Sequence, residues 1–133
     1  RVHFPFGAEQ APFLTWAMAS DRAWISPVGM LVQANAGLMV SYRGALELDW
    51  EIQTPEAPTY PCASCAAPCT TACPVGALQG KQYAVEACRS YVQSDPLQRC
   101  LTTGCLARRA CPISQAYERD AAQSAYHMRE FLN

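Results

Sequence analysis

The chain has 133 residues, half of them apolar, and its ten Lys and Arg against eleven Asp and Glu leave a formal net charge of −1. It holds no run of 18 apolar residues, so no membrane-spanning helix is predicted. The length fits one domain, or one domain with a small module, and the near-balanced charge offers no strong basic footprint for nucleic acid.

Residues 1–10 are aromatic and loop-like, with Phe4-Pro5-Phe6-Gly7 at their centre. Pro12 can open a short helix over Phe13 to Ala19, because proline is tolerated at the first helical position. Ser26-Pro27 breaks the chain. Met30, Leu31 and Val32 then lead into Ala34-Asn35-Ala36-Gly37, which reads as a turn.

The segment from Leu38 to Ile52 has the strongest periodicity. Leu38, Val40, Tyr42, Gly44, Leu46, Leu48, Trp50 and Ile52 share one parity, and the mostly polar Met39, Ser41, Arg43, Ala45, Glu47, Asp49 and Glu51 share the other. Period 2 predicts a strand with one buried and one solvated face, bent or bulged at Gly44. The row Glu47, Asp49, Glu51 reads as a solvated face that blocks edge pairing.

Thr54-Pro55-Glu56-Ala57-Pro58 is a linker by composition. Beyond it, Ala84 to Ser94 predicts a helix with Val85, Cys88, Tyr91 and Val92 on one face, ended by Asp95-Pro96. Asp120 is an N-cap with Gln123 completing a capping box. The last helix should run to about Leu132 and bury Ala121, Ala125, Met128 and Leu132. His3 and His127 sit in no motif, and neither a phosphate-binding glycine pattern nor a nucleophile elbow occurs.

All eight cysteines lie between Cys62 and Cys111. Cys62, Cys65, Cys69 and Cys73-Pro74 form one run. Cys100, Cys105 and Cys111-Pro112 form a second, with Cys88 between them. A four-iron four-sulfur cube needs four converging thiolates, and the bacterial two-cluster pattern is C-x2-C-x2-C-x3-C-P with its last cysteine on the other cluster. The first run carries one residue more than that pattern. A disulfide framework would leave the first 61 residues unstapled and gives no reason for two Cys-Pro steps. Structural zinc usually pairs two C-x2-C knuckles, and only Cys62 to Cys65 has that spacing. Two clusters on eight thiolates would add about −4 to the molecule, which further disfavours a nucleic-acid partner. Arg89, Arg99, Arg108 and Arg109 stand close to the cysteines in sequence and read equally as balancing cluster charge or as solvated surface.

Three features carry a resemblance over Cys62 to Pro112. They are Cys73-Pro74-Val75-Gly76-Ala77, the lone cysteine in Glu86-Ala87-Cys88-Arg89-Ser90-Tyr91, and the closing Cys111-Pro112 step. On these the segment resembles the two-cluster ferredoxin module of epoxyqueuosine reductases and corrinoid-dependent reductive dehalogenases. Upstream, Ala23-Trp24-Ile25 is similar to that family's Gly-Trp-Ile, with Ser26-Pro27-Val28-Gly29 in place of the Gly-Lys-Asn that follows there. Together with the crossed-ligation rule, the resemblance implies one cluster on Cys62, Cys65, Cys69 and Cys111, and another on Cys73, Cys88, Cys100 and Cys105. Each Cys-Pro step would then tie one loop to the other cluster, so that the pair folds as a unit.

The expected fold is α+β: a β-hairpin and helix segment over residues 1–58, read as small or as a remnant of a larger domain, then a mainly helical and loop ferredoxin-like module over 59–133. The expected function is that of a cytoplasmic electron carrier with two 4Fe–4S clusters, no catalytic residue of its own and a redox protein as partner. The alternative is the electron-entry part of a corrinoid- or flavin-dependent reductase.

Overall fold

The computed structural model describes residues 1–8 and 11–133; Glu9 and Gln10, part of the stretch expected as loop, lie outside the described residues. The architecture is a small mixture of six α-helices and three short antiparallel strand pairs. Strand β1 (Val2–His3) opens the chain and helix α1 (Phe13–Ala19) follows, with Pro12 as its N-cap residue rather than its first helical one. Strands β2 (Ala23–Ile25) and β3 (Leu31–Gln33) pair around the Ser26-Pro27 break, with Trp24 opposite Val32. The turn expected at 34–37 is present, with Gly37 in the left-handed region at φ +57°.

The long strand expected from Leu38 to Ile52 does not form. Only β4 (Ala45–Leu46) is extended in a ladder, paired with β1. Leu46 is 73 % exposed, Trp50 64 % and Ile52 60 %. A strand needs a partner for its N–H and C=O groups, and the two-residue β1 can satisfy only a two-residue partner. At the start of the segment both parities are buried: Leu38 is 1 % and Met39 8 % exposed. They line different cavities, so alternation there reports two interiors rather than inside and outside.

After an extended stretch without strand pairing, a 3-10 turn (Pro68–Thr70) carries Cys69. Strands β5 (Leu78–Gln79) and β6 (Gln82–Tyr83) form the third pair. Four helices then surround the remaining cysteines: α2 (Val85–Ser94), α3 (Arg99–Thr103), α4 (Leu106–Ala110) and α5 (Pro112–Ala116). Helix α2 buries Val92, while Val85 on the same predicted face stays exposed. Asp95 ends it in extended backbone before Pro96.

Helix α6 (Ala121–Leu132) is capped by Asp120, whose carboxylate accepts from Ala122 N at 2.7 Å. It buries Ser124 and Ala125, half-buries Met128 and Leu132, and leaves Ala121 exposed. The reason lies in its partner α3. A Cβ on Gly104, just past α3, would stand 2.6 Å from Ser124 Cβ. Glycine therefore lets α3 close onto α6 at Ser124, and the buried face rotates accordingly.

One core of buried side chains joins the two halves of the chain. Val28, Val32 and Leu38 pack with Cys69 and Cys111. Leu38 N donates to Ser114 Oγ at 2.9 Å, and Arg108 Nη1 donates to Leu38 O at 2.6 Å. The N-terminal segment is thus bonded to the helices that carry the last cysteines.

Candidate functional site

All eight cysteines are free thiols. They divide between two cavities. Cys62, Cys65, Cys69 and Cys111 wall a pit of about 20 Å³, together with Ser26, Pro27, Val32 and Leu38. Cys73, Cys88, Cys100 and Cys105 wall a cleft of about 490 Å³.

The local structure explains the division. Cys62 and Cys65 lie in one tight turn, with Cys65 N donating to Cys62 O at 3.3 Å, and Cys69 follows in the 3-10 turn. Helix α4 packs on that turn and delivers Cys111 at its end, where Pro112 opens α5. Cys73 leaves the run through the turn closed by Gly76 N on Cys73 O at 3.1 Å, which leads into β5. It meets Cys88 on α2, Cys100 on α3 and Cys105 at the head of α4. Both cysteines that precede a proline therefore side with the other run.

Gly37 makes the first pit possible. A Cβ there would stand 2.6 Å from Ser114 N, 2.7 Å from Ser114 Oγ and 3.1 Å from Cys111 Sγ, at a φ that L side chains disfavour.

Burial pushes the thiols of Cys62, Cys69, Cys88 and Cys100 above the ordinary value, and neighbouring cysteines of the same set add to the rise. Tyr60 beside Cys62 and Tyr83 beside Cys88 partly oppose it. Backbone donors also reach sulfur: Ala67 N to Cys65 Sγ at 3.4 Å and Ala77 N to Cys73 Sγ at 3.3 Å. Such N–H···S bonds stabilise negative charge on sulfur and tune a cluster's potential.

Among the described residues, no group of three His, Cys, Asp or Glu is arranged to hold a metal ion. Ligands of one zinc ion crowd within about 4 Å of one another, since each sulfur lies about 2.3 Å from the metal. A four-iron cube holds its thiolates farther apart. The donor chemistry fits such a group: each set is four free thiols with no carboxylate in the wall. Two buried side-chain polar atoms lack a partner among the described residues, Ser26 Oγ and Arg119 Nε. Ser26 lines the pit and Arg119 lines the cleft. A buried donor is costly when unpaired, and an anionic group held in each cavity would supply each with an acceptor.

Of the four arginines near cysteines in sequence, only Arg108 lines a cysteine cavity. Arg89 donates to Phe131 O and Leu132 O, at 2.9 and 2.5 Å, and Arg109 to Thr103 O at 3.0 Å. Arg99 pairs with Asp95 at 3.2 Å.

The residues at the two cavities to which the sequence reading gave no site role are Ser26, Gly37, Arg43, Arg119 and His127. Arg43 fell on the polar face of the expected strand, His127 was assigned no role, and Arg119 stands eight positions beyond Cys111 with no motif around it. Only the left-handed turn at Gly37 had a local signal.

No family model matches this chain, and neither a curated protein nor a solved structure is found to match it.

Proposed function

We propose that this chain carries electrons on two 4Fe–4S clusters, one on Cys62, Cys65, Cys69 and Cys111, the other on Cys73, Cys88, Cys100 and Cys105. The observation that supports this best is the division of eight free thiols into two sets of four around separate cavities. When bound, a cluster of this kind takes up and gives back one electron at a time. Thiols lose their protons on ligation, and burial, which raises the pKa of Cys62, Cys69, Cys88 and Cys100, makes that loss harder, so loading releases protons and is favoured by higher pH. Val32, Leu38 and the prolines give the first set an apolar wall. The amides of Ala67 and Ala77 and the hydroxyl of Ser26 offer donors to sulfur.

The test is anaerobic reconstitution with iron and sulfide. The expected product holds about eight iron and eight sulfide per chain. Dithionite should bleach its visible absorption and give the EPR spectrum of reduced clusters. Tight binding of two zinc ions with refusal of iron would overturn the reading.

The resemblance to epoxyqueuosine reductases and reductive dehalogenases keeps open a role as electron entry to a corrinoid- or flavin-dependent partner. The chain alone is expected not to bind cob(II)alamin at micromolar concentration. Stoichiometric binding in an absorbance titration would promote it to the reductase itself.

A further inference from the structure

The two cysteine cavities differ far more in size than in ligand set. With no group bound, the cleft measures about 490 Å³ and the pit about 20 Å³, so a cube of the same size leaves space beside it only in the cleft. Its volume falls in the range of small-molecule sites, about 300–1,000 Å³.

Charge points the same way. Arg43, Lys81, Arg108 and Arg119 line the cleft, and among the described residues no Asp or Glu does. A ligated, oxidised four-iron cluster carries about −2, which leaves about two positive charges without a counter-charge. This happens in a chain whose formal charge is −1. None of the four makes an ion pair with a carboxylate among the described residues.

Three of the cations converge. Burial lowers the pKa of His127, and Arg119, Arg43 and Arg108 lower it further, in that order; Glu130 opposes them but does not line the cleft. Burial likewise lowers the pKa of Arg119, with Arg108 and Arg43 adding to the effect. Like charges gathered beside a half-buried imidazole destabilise the fold unless an anion sits among them. Arg119 Nη1 is engaged with Met39 O at 3.2 Å, and its buried Nε has no partner among the described residues. The same cleft also has an apolar lining, with Met39, Met128 and Phe131.

We propose that the part of the cleft bounded by Arg43, Arg108 and Arg119 binds a small organic phosphate, its charged end on the guanidiniums and its apolar body against Met39, Met128 and Phe131. Guanidinium forks match phosphate oxygens in pairs, and a dianion balances the surplus charge. The ligand would lie beside the Cys73, Cys88, Cys100 and Cys105 set, within the same cleft.

The probe is phenyl phosphate, titrated by calorimetry into the full chain as purified and after reconstitution, with phenol and inorganic phosphate as controls. Iron and sulfide are assayed on the same samples, so loss of the cluster reading and loss of this one are told apart. One phenyl phosphate per chain is expected, with phenol not bound and inorganic phosphate bound more weakly. Arg43→Gln should weaken binding about tenfold or more. Arg43 is exposed and has no hydrogen bond or ion pair to a described residue, so the variant keeps the fold. Arg119→Gln should weaken binding similarly, and circular dichroism would report whether loss of the Met39 contact disturbs its fold. No saturable binding to either form, or equal binding by wild type and Arg43→Gln, would overturn the proposal.

Discussion

The pit around Cys62, Cys65, Cys69 and Cys111 is small and built into the apolar core, whereas the cleft around Cys73, Cys88, Cys100 and Cys105 is large and lined with cations. One strand of chain divides them, with Leu38 in the wall of one and Met39 in the wall of the other. The contrast shows how a single short module can give two sets of four thiols different surroundings. Apolar walls without cations penalise the added electron and lower a potential. Nearby guanidiniums favour the electron and raise it. On the proposed function, electrons would therefore rest on the cleft side.

The largest expected effect breaks the pit alone. Gly37→Ala forces a side chain into a left-handed turn and onto Ser114 and Cys111. Strain and overpacking together should cost about 2–5 kcal/mol. Denaturant unfolding would measure it, and iron assay should show loss first from the pit. A variant as stable as wild type would mean that the pit does not close as described.

Next, Arg108→Gln should lower the midpoint potential on the cleft side and leave the other unchanged, as read by EPR-monitored redox titration. Equal shifts in both would mean that the two surroundings are not electrically distinct.

A pH test sharpens the cleft side further. Burial pushes the Asp95 carboxyl up, but the Arg99 amide and guanidinium, the Leu97 amide and Tyr91 outweigh it and hold the carboxyl below the usual range. Their distances to the carboxylate run from 3.0 to 3.2 Å. The unfolded carboxyl titrates at about 3.9. A depressed folded value means that its contribution is full above that pH and fades as pH falls through the folded value. Asp95→Asn should therefore be less stable than wild type at pH 7, with a gap that narrows in acid. A gap that widens as pH falls would contradict the assignment.

The smallest effect concerns Trp50, which lies outside both cavities. At 64 % exposure its removal in Trp50→Ala should change stability by less than about 0.5 kcal/mol. A loss of several kcal/mol would show that Trp50 is covered.

Trp50 also marks where the sequence misleads. Helix α1 matched its expected bounds, and α2 and α6 came within a residue, because proline, Asp95-Pro96 and the Asp120 cap are local signals. Strand formation is not local. The alternation from Leu38 to Ile52 is real, but among the described residues it has no partner longer than β1. The short helices α3, α4 and α5 have too few turns to show a period, and they follow from where cysteines and prolines stand. For the site, cysteine spacing named the thiols. The arginines that matter to the cleft come from 43, 108 and 119, and only the folded chain gathers them.

The central claim is that each set of four is completed by the cysteine preceding a proline in the other run. Cys73→Ser tests it most directly, with Cys62→Ser and Cys88→Ser as references, all reconstituted alike and compared by EPR and Mössbauer spectroscopy. The account predicts that Cys73→Ser matches Cys88→Ser, with the cluster on Cys62, Cys65, Cys69 and Cys111 intact. A Cys73→Ser spectrum that matches Cys62→Ser would contradict it.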